Sequence, residues 1–434
     1  MAEYENHRPH VLIKTLGCKV NQYDSEKIRT RLLQQGYHSV SEKDGIAPEI
    51  VIVNTCTVTS ASSRKARQLI RRMIRKYPQA HVMVTGCYSD LKPEEIREIP
   101  GVAELVAIKD QERWTRRQAG NLESESEDRD ARRQAGEGID IFGEHTRAFV
   151  KVQDGCDLKC TFCIIPAIRG PARSRPIAEI VTECKILVER DYPEIVLCGV
   201  CLGNYGLESG CGLPELIGEI VRIDGLKRVR ISSLEPQNVT DALFEIMAEH
   251  SDIVCPHLHL PLQSGSNKIL RRMKRPYTVE FFLERIARAR NMLPSFEIST
   301  DIMVGFPGET EEDFEETLAA VRQGWFSKVH SFRFSVRENT PAARMKDRLS
   351  PHVIEDRRRR LDEIAIAIAN DVKRSYIGKT LPVLIEKMEN HRCTGLSPNY
   401  LRVDFRTSKR VARGEVILVR CSAVKKGRLQ GEAV

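Results

Sequence analysis

Residues 156–175 read CDLKCTFCIIPAIRGPARSR, and the first eight of them include three cysteines, Cys156, Cys160 and Cys163. Three thiolates spaced C-x3-C-x2-C can ligate three irons of a 4Fe–4S cube, which leaves the fourth iron free to bind a substrate or cofactor. Zinc is the alternative. Structural zinc sites usually show two C-x2-C pairs or a mixture of Cys and His, and no fourth ligand follows nearby here. The spacing therefore favours a reactive iron–sulfur cluster over a zinc site.

A second set of three cysteines lies in the first third of the chain. The apolar runs VLIKTLGC, IVIVNTC and HVMVTGC end at Cys18, Cys56 and Cys87. Helical patterns around 24–35 and 62–77 separate these runs, which predicts parallel βαβ units with a cysteine just past each strand. Ligands of open parallel sheets bind outside the carboxyl ends of the strands. We therefore expect the three thiols on one edge, where they suit a second cluster; the alternative is three unrelated buried cysteines.

Residues 116–138 read RRQAGNLESESEDRDARRQAGEG and contain RRQAG twice. With many charges and a single large apolar residue, this stretch cannot bury enough surface to order itself firmly. It predicts a boundary between domains. The expected organisation is a first domain at 1–115, a charged linker at 116–142, a second domain at 143–372 and a third at 373–434.

Strand and helix patterns alternate again from Phe149 onward. Candidate strands are AFVKVQ, EIVLCGV, RVRISS, HLHLPLQ, EISTDIMVG and HSFRFSV, with helices such as 279–291 and 311–323 between them. Six βα units predict a partial, six-stranded barrel whose site lies at the carboxyl-end loops, and the C-x3-C-x2-C motif follows the first strand. Polar residues at other strand ends can line such a site, although each can instead form a turn or a cap. These residues are Asn204, Ser233, Glu235, Gln263 and Ser264.

The basic charge of the chain is concentrated at its end. The net charge is +8, yet 373–434 contains fourteen Lys or Arg against five Asp or Glu. The short alternating runs LPVLIEK, NYLRVDF and GEVILVRCSAV predict a small β-barrel there. Its positive charge indicates binding to a polyanion such as RNA; the alternative is that the charged surface is only solvated. The basic helix 64–77 and the run 357–360 are predicted as solvated faces, with RNA contact as the alternative. The acidic residues 311–313 are expected to complement a helix N-terminus.

Composition indicates the cellular setting. No apolar run reaches 18 residues, so no membrane span is expected. The N-terminal residues MAEYENHRPH lack the pattern of a signal peptide. Thirteen cysteines, an odd number, then indicate a reducing compartment in which thiols bind metals and clusters. These features predict a cytoplasmic protein.

The chain resembles the methylthiotransferase family of radical S-adenosylmethionine (SAM) enzymes over nearly its whole length. The first domain carries TLGCKVNQYDSE, NTCTVT and TGC. The second carries CDLKCTFCIIPAIRGPARSR, HLHLPLQSGSNKILRRMKRPYT and STDIMVGFPGETEEDFEET, and the tail is similar to a TRAM domain. The resemblance implies an α/β protein with an open parallel N-terminal sheet, a partial (βα)6 TIM-like radical SAM barrel and a small all-β TRAM barrel. GCKVNQYDSE and RISSLEP resemble most the branch that acts on N6-threonylcarbamoyladenosine in tRNA.

The resemblance also implies cofactors and roles. Cys156, Cys160 and Cys163 are expected to hold the radical-generating 4Fe–4S cluster, and Cys18, Cys56 and Cys87 an auxiliary 4Fe–4S cluster that carries the inserted sulfur. One SAM supplies the methyl group, and a second supplies the radical that removes hydrogen from C2 of the adenine. No catalytic residue beyond the cluster ligands is expected. Contacts to SAM are assigned to Phe162, the aromatic residue typical of this motif, and to Asn204, Ser233, Glu235, Gln263 and Ser264.

The expected partners are the anticodon loop of tRNA and a reductant protein such as a flavodoxin or ferredoxin, with the chain a monomer. Two positions depart from the family: Ala167 replaces a usual Tyr or Trp, and Cys201 replaces a usual Asn, Gln or His. Cys198, Cys201, Cys211 and Cys255 receive no role from the sequence. Alternative functions are a methylthiotransferase for N6-isopentenyladenosine or for an aspartate of a ribosomal protein. A non-catalytic iron–sulfur RNA-binding protein is an alternative of another class.

Overall fold

A computed structural model describes residues 8–57, 60–119, 139, 145–208, 210–389 and 391–434. The chain divides into two compact units. The first comprises Met1–Gly143 and Ile164–Gly170, and the second Glu144–Cys163 and Pro171–Val434. The predicted linker 116–142 lies mostly outside the described residues, and its first four residues end a helix. Among the described residues, no helix is both long and apolar enough to cross a membrane.

The first unit is built on a five-stranded, all-parallel sheet with the order β2-β1-β3-β4-β5. Its strands are β1 (His10–Thr15), β2 (His38–Ser39), β3 (Ile50–Thr55), β4 (His81–Gly86) and β5 (Glu104–Leu105). Its helices are α1 (Lys19–Gln34), α2 (Ser60–Lys76), α3 (Cys87–Leu91), α4 (Pro93–Arg97) and α5 (Gln111–Ala119). The parallel βαβ arrangement predicted from the three apolar runs is confirmed.

Helices cover both faces of this sheet, which is why its central strand is apolar on both sides. All six residues of β3 are buried. Val51 and Val53 pack with Ile70 and Met73 of α2 on one face. On the other face the core comprises Val11, Ile13, Ile28, Leu32, Ile52 and Trp114. Because the apolar side of α2 is packed on the sheet, its basic residues face outward, as predicted, except for the half-buried Arg67, which donates to Tyr88 and Glu95.

The second unit begins with a partial barrel of six parallel strands. These are β6 (Ala148–Lys151), β9 (Glu194–Cys198), β10 (Arg228–Ile231), β11 (His257–His259), β12 (Glu297–Val304) and β13 (Lys328–Arg333), and a short antiparallel pair lies between the first two, β7 (Gln153–Asp154) and β8 (Arg173–Ser174). The strands form two sheets, β10-β9-β6 and β11-β12-β13. Parallel bridges from Val229 to Val254 and from Ser233 to His259 connect the two sheets. All six predicted barrel strands are present.

Helices connect the barrel strands. After α6 (Ile165–Arg169), which belongs to the first unit, they are α7 (Ile177–Glu189), α8 (Leu213–Ile220), α9 (Asp241–Glu249), α10 (Asn267–Arg272), α11 (Val279–Met292), α12 (Glu311–Gly324) and α13 (Pro351–Arg374). Asp313 and Thr310 form a capping box at the start of α12, so the predicted role of the acidic residues holds for Asp313. Glu311 instead pairs with Arg357 and Arg360 of α13.

The run 357–360 on α13 differs in part from the predicted solvated face. Arg357 is buried and ion-paired with Glu309, with 2.7 Å between Nη1 and Oε2. Arg358, Arg359 and Arg360 are more accessible but are likewise bound to carboxylates of α12 and α13. A periodic pattern cannot reveal Glu309 as a partner, because Glu309 lies in the loop before α12, 48 residues away.

The tail folds into a closed five-stranded barrel with the order β14-β15-β16-β18-β17. Its strands are β14 (Thr380–Glu389), β15 (Arg392–Leu396), β16 (Arg402–Arg406), β17 (Val416–Lys425) and β18 (Arg428–Ala433). The predicted small β-barrel is confirmed, although the sequence patterns identified only three of the five strands.

Buried charges join the tail barrel to the amino ends of the (βα)6 strands. Arg230 donates to Glu194 (Nε–Oε1 2.6 Å) and to the carbonyl of Pro398 (2.7 Å). Tyr400 stacks on His257 with 4.7 Å between ring centroids, and Arg228 donates to the carbonyl of Pro382 (2.8 Å). The tail therefore covers the end of the barrel opposite the carboxyl-end loops.

Candidate iron–sulfur centres

The three cysteines predicted as ligands in the first unit meet at the carboxyl edge of its sheet. Cys18 immediately precedes α1, Cys56 follows β3, and Cys87 is the first residue of α3. Cys56 and Cys87 are buried, whereas Cys18 is exposed. A Cβ at Gly17, next to Cys18, would lie 3.2 Å from the Cys56 sulfur, and the Cys87 sulfur lies 3.6 Å from the side chain of Asn21, so the three cysteines meet at one site. One solvent-facing and two buried thiols fit a cluster at the protein surface with one open iron.

Asn21 positions two of these cysteines through the backbone. Its side-chain amide donates to the carbonyl of Leu16 (3.0 Å) and to that of Thr55 (2.8 Å), which lie beside Cys18 and Cys56. Asn54 in turn donates to the backbone carbonyl of Asn21 (2.9 Å). The polar residues of GCKVNQYDSE and NTC therefore bind the ends of β1 and β3 to each other.

Glycines precede Cys18 and Cys87 for conformational and steric reasons. Gly86 has φ +99°, and a Cβ there would lie 2.3 Å from Oδ1 of Asn54 and 2.5 Å from the carbonyl oxygen of Thr55. Gly17 has φ +120°, and its Cβ would lie 3.0 Å from the Cβ of Cys56. Neither position accepts a side chain without moving its neighbours.

Burial raises the pKa of Cys87 to about 12, and nearby Arg169 opposes this rise. The Cys87 sulfur lies 3.6 Å from Oδ1 of Asn21, to which it donates. A thiol must lose its proton to ligate a metal. Iron binding at Cys87 therefore requires favourable interactions that offset the cost of removing this proton, and the cluster itself and a nearby cation can supply them.

Cys156, Cys160 and Cys163 lie in the loop after β6 and β7, at the carboxyl end of the barrel. Thr161 anchors this loop: its amide and hydroxyl donate to the carbonyls of Met273 and Arg272, both at 3.0 Å. Cys160 is buried and the other two are half-buried. The loop is thus held from the far side of the barrel, and its cysteines are left partly accessible.

Arg275 is a residue of this site that sequence reasoning missed. Its Nη1 donates to the sulfur of Cys160 (3.1 Å), its Nε donates to Tyr277 (2.8 Å), and it forms an ion pair with Glu235. Glu235, predicted to contact SAM, is therefore the partner of Arg275. The sequence contained the signal in the motif RRMKRPYT, but four basic residues there conceal which one turns inward.

Cys201 adds a fourth sulfur beside the loop. Its amide donates to Oε1 of Gln153 (2.8 Å), and the side chain of Gln153 also donates to the carbonyls of Asp154 and Gly155, both at 2.8 Å. The Cys201 thiol hydrogen-bonds to Cys156 and lowers the pKa of Cys156. The contact eases formation of the Cys156 thiolate, the form that ligates metals.

The remaining residues predicted to contact SAM fall into two groups. Asn204, Ser233 and Gln263 lie at the carboxyl end of the barrel, and the buried Oε1 of Gln263 has no hydrogen-bond partner among the described residues. Ser264 instead accepts from the amide of Ser266 (3.2 Å). Phe162 packs edge-on against Phe306, with ring centroids 6.4 Å apart. Gln263 can therefore accept from a polar ligand, whereas Ser264 is hydrogen-bonded within the protein and Phe162 packs against an apolar cluster.

Three other cysteines without a role assigned from the sequence differ in burial. Cys198 and Cys255 are fully buried within the barrel, and Cys211 is half-buried. Within the described ranges, no group of three or more His, Cys, Asp or Glu side chains is arranged to hold a single metal ion. A 4Fe–4S cube differs from a single ion in taking each thiolate on a separate iron.

Two family models match segments of the chain that contain the two sets of cysteines. Residues 150–321 match the Radical SAM superfamily, and residues 10–107 match the uncharacterized protein family UPF0004. The threonylcarbamoyladenosine tRNA methylthiotransferase of Bacillus subtilis (strain 168) is 37% identical to this chain, and the match covers 94% of this chain and 93% of the relative. The chain belongs to the methylthiotransferase family. SAM and 4Fe–4S clusters, the cofactors expected from the sequence, follow from this membership.

Other relatives in this family differ in their named substrate. The tRNA-2-methylthio-N(6)-dimethylallyladenosine synthase of Acidothermus cellulolyticus is 34% identical over 94% of this chain and 84% of its own. Among solved structures, the radical S-adenosylmethionine methyltransferase TsrM from Kitasatospora setae superposes with a TM-score of 0.57 at 15% identity, over 77% of each chain. That likeness supports the radical SAM fold alone.

Proposed function

We propose that this methylthiotransferase attaches a methylthio group to C2 of N6-threonylcarbamoyladenosine next to the anticodon of tRNA. The observation that carries the proposal is the pairing, in one chain, of two sets of three cysteines, each at the carboxyl ends of parallel strands. Cys156, Cys160 and Cys163 hold the radical cluster, and Cys18, Cys56 and Cys87 hold the auxiliary cluster. When bound, these clusters and SAM supply the radical, the sulfur and the methyl group.

The chain's own residues orient these groups. Arg275 fixes Cys160 and neutralises charge beside it, and Thr161 holds the cysteine loop to the barrel. Gln263 offers a buried acceptor without a partner in the described structure, which supports its role in binding polar atoms of SAM. Asn204 and Ser233 extend the same rim.

Relatives support the choice of substrate. Four relatives named threonylcarbamoyladenosine tRNA methylthiotransferase are 34–37% identical to this chain, whereas four named for dimethylallyladenosine are 31–34% identical. The proposed enzyme works as a cytoplasmic monomer, is reduced by a flavodoxin or ferredoxin, and binds the anticodon loop partly through its basic tail.

Mass spectrometry of nucleosides tests the proposal. In tRNA from a strain lacking this gene, 2-methylthio-N6-threonylcarbamoyladenosine should disappear and its unthiolated precursor should accumulate. The wild-type gene should restore the product, and Cys56→Ala and Cys156→Ala genes should not. In vitro, Cys156→Ala should abolish 5′-deoxyadenosine formation, whereas Cys56→Ala should retain part of it.

Other outcomes would identify the alternatives. Loss of the methylthio form of N6-isopentenyladenosine would assign the enzyme to that sister branch. Unchanged tRNA together with an unmodified ribosomal-protein aspartate would assign it to the protein-modifying branch. No change in any of these products would contradict an enzymatic role.

A further inference from the structure

A buried arginine, Arg169, completes the three-cysteine edge of the first unit. It ends α6, only six residues after Cys163, yet α6 belongs to the first unit. Its Nη2 donates to Oδ1 of Asn21 (2.7 Å) and pairs with Oδ2 of Asp24 (3.1 Å). The side chains of Arg169 and Asp24 are 2% and 5% exposed.

The guanidinium faces a predicted sulfur ligand. The Asn21 oxygen that accepts from Arg169 lies 3.6 Å from the Cys87 sulfur. Arg169 also hydrogen-bonds to Cys87 directly and acts on it electrostatically. Asn21 therefore links Arg169 to the strand ends that carry Cys18 and Cys56 as well as to Cys87. A guanidinium has five N–H donors in a rigid plane, so it can serve Asn21, Asp24 and a thiolate together.

We propose that Arg169 is the positioning residue of the auxiliary cluster: it donates to the cluster's sulfur ligands and places a buried positive charge beside them. Reduction adds negative charge to a cluster, and cations and hydrogen bonds to its sulfurs stabilise that charge. Arg169 thereby raises the reduction potential of the auxiliary cluster. The inference rests on the proposed function, which assigns this cluster to Cys18, Cys56 and Cys87.

The competing explanation is a purely structural ion pair between Arg169 and Asp24. Such a pair also explains the burial, because removing one partner leaves an uncompensated charge in the interior. The two explanations differ in one observable. A structural pair affects the free energy of unfolding, whereas a positioning residue also affects the potential and the spectrum of the cluster.

The test uses full-length protein in which Cys156, Cys160 and Cys163 are replaced by Ala, so that only the auxiliary cluster remains. After reconstitution with iron and sulfide, iron content, the electron paramagnetic resonance spectrum of the reduced state and the midpoint potential are measured. Arg169→Gln should lower the midpoint potential and change the spectrum. Arg169→Lys, which keeps the charge, should lie closer to the parent. Arg71→Gln, which removes an exposed charge from the same unit, is the matched control. Equal potentials and spectra for Arg169→Gln and Arg71→Gln would overturn the inference.

A second pair of variants removes the folding penalty. Asp24→Asn, alone and combined with Arg169→Gln, eliminates the unpaired carboxylate that Arg169→Gln leaves behind. The double variant should show a lower midpoint potential than the Asp24→Asn variant. Alternatively, it should lose iron that the Asp24→Asn variant retains, although the two variants unfold at the same temperature. Identical iron content and potential in these two variants would show that Arg169 is only a structural partner. If the parent itself holds no iron, the proposed function is wrong at this site, and the inference falls with it.

Discussion

At the scale of single residues, glycines and asparagines position Cys18, Cys56 and Cys87. Gly17 and Gly86 lie where the backbone of one strand end approaches the next, and the side chains of Asn21 and Asn54 donate to backbone carbonyls there. Unpaired backbone groups at buried strand ends are costly, so these amides also stabilise the fold. The same residues therefore carry both the stability and the geometry of the site.

Gly86→Ala should destabilise the protein and impair the auxiliary cluster. The new Cβ would meet Oδ1 of Asn54 and the backbone of Thr55, and Ala would also be forced to a positive φ. We expect a loss of at least about 2 kcal/mol in the free energy of unfolding and fewer irons per chain. Gly36→Ala is the control, since Gly36 has φ +90° with no atom within 4 Å of the added Cβ, and it should cost about 1 kcal/mol. Denaturant titration and iron analysis would measure both; equal losses would contradict the steric argument.

Sequence patterns identified both sets of three cysteines as candidate ligands but neither arginine beside them. A cysteine at the end of an apolar run is a local signal, and the end of a parallel strand fixes the edge on which it emerges. Arg275 and Arg169 reach partners 115 and 148 residues away. Contacts at such separations depend on the assembled fold, and each arginine lies in a stretch with several other basic residues.

At the scale of elements, apolar runs in the sequence predicted β1, β3 and β4 of the first unit and all six strands of the partial barrel, but not the two-residue strands β2 and β5. The sequence analysis also missed β15 and β18 of the tail barrel. These strands contain Gly395 and Gly431 together with charged residues, so neither forms an apolar run. Glycine weakens a strand pattern, but here it allows close approach. A Cβ at Gly395 would lie 2.2 Å from the carbonyl oxygen of Leu384, and one at Gly431 would lie 2.5 Å from that of Arg420.

The arginines 357–360 on α13 should differ in how much they contribute to the free energy of unfolding. Arg357 is buried against Glu309, whereas Arg359 pairs with Asp356 and Glu363 in solvent. Arg357→Ala should lower the free energy of unfolding by about 3–5 kcal/mol, because it leaves the Glu309 carboxylate buried without this partner. Arg359→Ala should cost less than about 1 kcal/mol. Both are measured by denaturant titration, and a large loss for Arg359→Ala with none for Arg357→Ala would reverse this assignment.

At the scale of the whole second unit, the tail barrel lies at the amino ends of the strands, whereas Cys156, Cys160 and Cys163 lie at the carboxyl end. The five residues of β9 separate these ends by about 17 Å. An RNA that contacts both the tail barrel and the loop of Cys156, Cys160 and Cys163 must therefore extend along the partial barrel, as a tRNA can. The docking contacts also mean that deleting the tail would uncover Arg228, Arg230 and Glu194, so loss of function after truncation would not identify an RNA surface.

Neutralising exposed arginines of the tail should weaken tRNA binding without disturbing the clusters. Arg406, Arg410, Arg413 and Arg420 are exposed on the tail barrel, outside its buried contacts with the (βα)6 barrel. Each phosphate contact releases counterions, so replacing all four by Gln should reduce the slope of log affinity against log salt by up to roughly 3. Iron content and SAM cleavage without RNA should stay at wild-type levels. The matched control replaces four exposed basic residues of α2, Arg64, Lys65, Arg71 and Arg75, by Gln. If the control loses affinity and salt dependence while the tail variant keeps both, α2 is the RNA-binding surface and the tail is only a solvated one.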